Sequence, residues 1–136
     1  MNVMPDFHDG SFDGLWISDK KRIHLFLSTI DKRRFTLVLH EVKRFNASNV
    51  KQGNIILDLT LLDTQQLTSA IVKNVYDLVG VQEEGRTDQF LSSAKREGLK
   101  ALEISSSYGA ECTALFGRAE CHPDHFCGDE TGSGKE

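Results

Sequence analysis

The sequence predicts an α+β domain: an antiparallel β-sheet of about six strands with two helices inserted before a C-terminal hairpin. Three observations lead there. Apolar and polar residues alternate over 23–30, 34–42 and 53–62, the period of half-buried strands. Between Leu67 and Leu78 the period lengthens to about 3.6, that of a helix packed along one stripe. Strand patterning returns after Gly98, so the helices interrupt one sheet instead of alternating with its strands.

Residues 11–17, with Phe12, Leu15, Trp16 and Ile17, form the first strand, which Asp13-Gly14 is placed to bend. Residues 23–30 and 34–42 read as a hairpin around Asp31-Lys32-Arg33. Pairing Ile30 with Arg34 sets Leu25 opposite Leu39, Leu27 opposite Leu37 and His24 opposite His40; a slip of one residue scatters the apolar face. Phe26 and Val38 then share the other face. In the strongest strand, 53–62, Ile55, Leu57, Leu59 and Leu61 lie on one face and Asp58 and Thr60 on the other. Leu67, Ile71, Val75 and Leu78 mark a helix over 64–79, with Asp63 or Thr64 as cap, Gln66 completing a capping box and Gly80 as stop. After a solvated acidic link at 82–85, a second helix covers 88–97, with Thr87 as N-cap, Phe90, Leu91 and Ala94 as stripe and Gly98 at C′. Residues 99–105 and 110–120 close the sheet as a hairpin around Ser106-Ser-Tyr-Gly109. The domain is therefore residues 1–120, and the polar, glycine-bearing stretch 121–136 is a flexible tail.

A chain of 136 residues fits one domain and buries roughly 68% of its unfolded surface. With 39% hydrophobic and 26% charged residues, it is neither a disordered polyelectrolyte nor a membrane protein, because no apolar run nears the roughly 20 residues of a membrane span. The opening residues show no basic-then-apolar leader, so the expected compartment is the cytoplasm. The net charge of −4 is unevenly spread: residues 1–51 hold nine Lys/Arg against six Asp/Glu, residues 52–136 seven against fourteen. Such asymmetry makes an electrostatic dipole available to steer encounters. Three cysteines, an odd number, argue for reduced thiols over a disulfide framework.

No motif assembles a catalytic site. There is no Gly-x-Ser-x-Gly elbow, phosphate-binding glycine loop or His-Glu-x-x-His helix. His8-Asp9 places an imidazole beside a carboxylate, but neighbours in a strand point apart, and backbone hydrogen bonding is the simpler role. Metal ligation is the alternative chemistry. Cys121, His122, His125 and Cys127 supply two thiols and two imidazoles, the donor set of zinc, although four donors in seven residues converge poorly. His24 and His40 would add two donors if they oppose each other across the hairpin. Cys112 reads as a small buried apolar residue. Lys20, Lys21, Arg22, Lys43 and Arg44 gather at one sheet end without interleaved aromatics, so no nucleic-acid partner is expected and the patch is a solvated sheet end. Trp16 serves core or contact surface equally well on sequence alone.

Four stretches carry a resemblance: Phe7-His8-Asp9-Gly10, Val42-Lys-Arg-Phe45, Gln52-Gly-Asn-Ile-Ile-Leu-Asp-Leu59 and Leu102-Glu-Ile-Ser-Ser-Ser-Tyr-Gly-Ala-Glu111. Over residues 7–120 the chain resembles a group of small bacterial proteins that open with a Phe-His-Asp-Ala type motif. The group includes uncharacterised proteins and candidate immunity proteins of toxin systems. Gly10 stands where alanine is usual, a small change in volume. The resemblance implies an antiparallel-sheet fold and no catalytic residue. The expectation is a non-enzymatic protein-binding module, immunity-like, that engages a protein partner or a second copy and needs no cofactor; Trp16, Phe26, Val38 and Tyr108 are its candidate anchors. The alternative is a small metal-dependent enzyme or metal-binding protein built on the His/Cys clusters, with zinc as its ion.

Overall fold

The computed structural model of the chain describes residues 4–78 and 84–124. Its strands are β1 (Ser11–Asp19), β2 (Arg22–Ser28), β3 (Arg34–His40), β4 (Arg44–Ser48), β5 (Asn54–Leu62), β6 (Lys100–Tyr108), β7 (Glu111–Phe116) and β8 (Arg118–Pro123). Between β5 and β6 lie a 3₁₀ turn (Thr64–Gln66) and the helices α1 (Ser69–Tyr76) and α2 (Glu84–Arg96). The fold is α+β, and its strands pair antiparallel in one sheet ordered β4-β7-β6-β5-β1-β2-β3-β8. Eight strands among the described residues replace the expected six or so.

One additional strand, β4, and one division account for the difference. Glu41, in the left-handed region at φ 56°, turns the chain between β3 and β4, and the strand expected over 110–120 divides at Gly117. The breaks meet. The Gly117 N–H donates to the carbonyls of His40 and Glu41 at 3.0 and 3.2 Å, and the Lys43 N–H donates to Leu115 at 2.8 Å. At this corner the β3–β8 ladder, ending His40 opposite Arg118, runs on into the β4–β7 ladder, which begins Arg44 opposite Leu115. The two end strands of the sheet thus share one corner, and the sheet closes as a barrel. A Cβ on Gly117 would fall 2.9 Å from that of Glu41, so glycine is what allows the crossing.

Closure turns alternate residues inward. Ile23, Leu25 and Leu27 of β2, Leu37 and Leu39 of β3, Leu102 and Ile104 of β6, and Cys112, Ala114 and Phe116 of β7 join Phe7, Phe12 and Ile56 in one core. The burial expected for Cys112 is observed, and burial pushes its thiol up to about 12. A second apolar cluster lies outside the barrel, where Leu67, Ile71, Val75 and Ala94 cover Ala101 and Leu115. Tyr76 of α1 stacks on Phe90 of α2 with ring centroids 4.0 Å apart, and the Arg44 guanidinium lies over the Tyr76 ring.

Several expected boundaries and registers shift. Ser28 pairs with Arg34, so β2 and β3 are offset by two residues: His24 faces Val38, and His40 faces Arg22. A two-residue slip keeps every side chain on its own face, so alternation cannot detect it. The turn decides. The Thr29 N–H donates to the Arg33 carbonyl, its hydroxyl accepts from the Arg33 N–H, and Lys32 adopts φ 72°. In β5, irregularities between Ile55 and Asp58 break the parity, leaving Ile55 and Leu57 exposed and Ile56 buried.

The first helix starts at Ser69, not 64, because Thr68 accepts from the Ile71 N–H as its cap. Asp63 and Gln66 instead close the 3₁₀ turn, with the Gln66 amide oxygen accepting from the Asp63 N–H. Leu67, Ile71, Val75 and Leu78 are buried as the stripe requires. The second helix starts at Glu84, which puts Thr87 inside it and buried instead of at its N-cap, and draws part of the acidic link into the helix. Gly98, at φ 71°, ends it, with the Leu99 N–H returning to the Ala94 carbonyl. Gly80 lies outside the described residues. At the other end of the chain, β8 carries the sheet to Pro123, beyond the expected limit at 120.

Candidate functional site

The outer surface of β1, β2, β3 and β8 collects most of the side chains singled out from the sequence. Cross-strand pairing lays them in rows: Arg22, His40 and Arg118; Trp16, His24, Val38 and Glu120; Phe26, Thr36 and His122. Three of the four candidate anchors therefore share a face. Trp16 is 57% exposed, Phe26 is half-buried, and Val38, 8% exposed, is floor more than contact. Tyr108 stands apart on β6, exposed, with Lys51 over its ring.

Trp16 is held despite its exposure. Its ring stacks on His24 with centroids 4.7 Å apart and planes at 25°, and His24 Nε2 lies 3.0 Å from the Ser18 hydroxyl. Burial, followed by the charges of Arg22 and His40, lowers the His24 pKa. Because a lowered imidazole titrates below its unfolded value, His24 detracts from stability as the pH falls through 6.5. Trp16→Ala uncovers the ring, and its NMR titration midpoint is expected to rise toward 6.5; an unmoved midpoint would show that the indole does not shield it.

At the far end of this row, Glu120 gathers three bases. Arg118 Nη1 donates to Oε2 at 2.6 Å, and His122 Nε2 lies 2.8 Å from Oε1. Arg118 first, then His122, holds the Glu120 carboxyl down to about 2. His40 Nε2 also lies 2.8 Å from Oε2, but out of line for a hydrogen bond, so this buried nitrogen has an ionic neighbour only. Asp19 lies opposite Arg22 at the other end of the neighbouring row, so two carboxylates, Asp19 and Glu120, share this face with Arg22, His40, Arg118 and His122.

On the other side of the barrel, a groove of about 680 Å³ presents Asp58, Asp77, Glu103 and Glu111, with no lysine or arginine in its lining. Part of the acidic excess of residues 52–136 is thus gathered in this groove. Of the five cations expected at one sheet end, Lys43 lies 3.9 Å from Glu97 and Arg44 covers Tyr76; two of them are therefore engaged with the helices.

The metal candidates do not converge among the described residues, where no group of three or more His, Cys, Asp or Glu side chains is placed to hold an ion. His24 and His40 lie diagonally on one face instead of opposite each other. Cys121 faces the core, with its thiol raised by burial, while His122 faces Glu120. His125 and Cys127 lie outside the described residues.

The opening motif has a positional role. His8 Nδ1 lies 2.6 Å from the Leu57 carbonyl, and that contact, ahead of Asp9, raises the imidazole's pKa. This matches the expected backbone role. The two residues also approach each other, with Nε2 3.5 Å from Asp9 Oδ2, because they occupy a turn, Asp9 having φ 62°, and not a strand. Gly10 corrects another expectation. A Cβ there would penetrate the Ser28 carbonyl oxygen and lie 3.0 Å from that of Phe7, so alanine is no small change in this chain.

Asn54 is the residue that sequence reasoning missed. It is 4% exposed. Its Oδ1 accepts from the Lys51 and Ala110 N–H groups at 2.7 and 3.0 Å, and its Nδ2 donates to the Lys51 and Phe12 carbonyls at 2.6 and 3.2 Å. The only signal was a polar residue after Gly53 at the start of an apolar strand. Comparison with protein-family models, curated proteins and solved structures finds no match to the chain.

Proposed function

We propose that the chain is a non-enzymatic protein-binding module, immunity-like in acting by occupying another protein, and that the outer face of β1, β2, β3 and β8 is its contact surface. The observation that carries this is Trp16, more than half exposed yet fixed against His24. An indole immobilised before contact loses little conformational freedom on binding, and tryptophan is enriched among residues that dominate interfaces. Arg22 and Arg118, His40 and His122, with Asp19 and Glu120 among them, favour a partner with an apolar pocket and a polar rim that offers both donors and acceptors. A cytoplasmic setting suits the free thiols of Cys112 and Cys121, and no helix among the described residues is long and apolar enough to cross a membrane.

The full chain, immobilised against lysate of its source cells, is expected to retain one stoichiometric partner. Trp16→Ala should weaken that capture at least about 30-fold, the effect of losing a dominant contact, while Tyr108→Ala keeps it and both variants melt like the wild type. Unchanged capture by Trp16→Ala, or no reproducible partner, overturns the proposal.

A further inference from the structure

We draw no further inference here: the strongest candidate, the groove bordered by β4, β5, β6, β7 and α1 that presents Asp58, Asp77, Glu103 and Glu111, is a cluster of carboxylates with no buried, unpartnered side chain aimed into it among the described residues, so nothing in the structure shows what would occupy it.

Discussion

Asn54→Ala is expected to destabilise the protein by about 3 kcal/mol or more, the sum of leaving several buried groups without partners. Its amide ties three segments that the ladders barely join: the Lys51 turn, the Phe12 carbonyl of β1 and the Ala110 N–H where β6 turns into β7. Alanine removes both donors and the doubly used acceptor, and the buried site limits replacement by water. Against a total of roughly 5–15 kcal/mol, the loss lowers the melting temperature by about 10–15 °C. Asn54→Asp separates the two halves of the contact. It keeps the acceptor for the Lys51 and Ala110 N–H groups but turns an anion toward the Lys51 and Phe12 carbonyls. It should therefore also destabilise near pH 7, and recover partly in acid as the carboxyl gains a proton to donate. Urea denaturation at two pH values measures both. An Asn54→Ala variant within about 1 kcal/mol of wild type would mean that the four hydrogen bonds are replaceable by solvent.

Gly10→Ala is expected to cost about 2–3 kcal/mol, the range for forcing extra volume into a packed site. Opposing effects meet here. A glycine outside the left-handed region normally gains about 0.4–1 kcal/mol on becoming alanine, through the unfolded chain. The clash wins, because the obstructing atoms are the backbone oxygens of Ser28 and Phe7, fixed by the β1–β2 ladder and by the turn in which the Gly10 N–H donates to Phe7. Gly85→Ala gives the contrast. Within α2, with no heavy atom near the added methyl, it should stabilise by about 0.5–1 kcal/mol. Equal effects of the two substitutions in thermal melts would show that the close approach at Gly10 relaxes freely.

Side-chain type and spacing made the fold class readable, because alternation and the helical stripe are local properties. The strand at 44–48 was not legible: Arg44-Phe-Asn-Ala-Ser48 holds only one large apolar residue, and its place depends on β7, far along the chain. The β2–β3 register escaped because Thr29 and Lys32 set it through backbone geometry that alternation does not encode. Ile55 and Leu57 went to the wrong face because a bulge moves parity by one residue. At the candidate site, Trp16, Phe26 and Val38 were nameable from residue type and strand parity. The exposure of Trp16, the clustering of bases around Glu120 and the fourfold bonding of Asn54 were not, since each needs strands distant in sequence to be placed first.

The corner at Gly117 bears on the order in which the protein folds. The pairing that closes the ring links partners from Ser48 with Glu111 to Phe35 with Pro123, so most of the chain lies between them as one large loop. Hairpins such as β1–β2–β3 and β6–β7 bring near neighbours together at small entropic cost, whereas this seam forms only after a long closure. Substitutions at Gly117 or Lys43 should therefore act chiefly by hastening unfolding, and those in the β2–β3 turn by slowing folding. Joining the two ends of the ring is the late event that turns a curved ribbon of hairpins into a container.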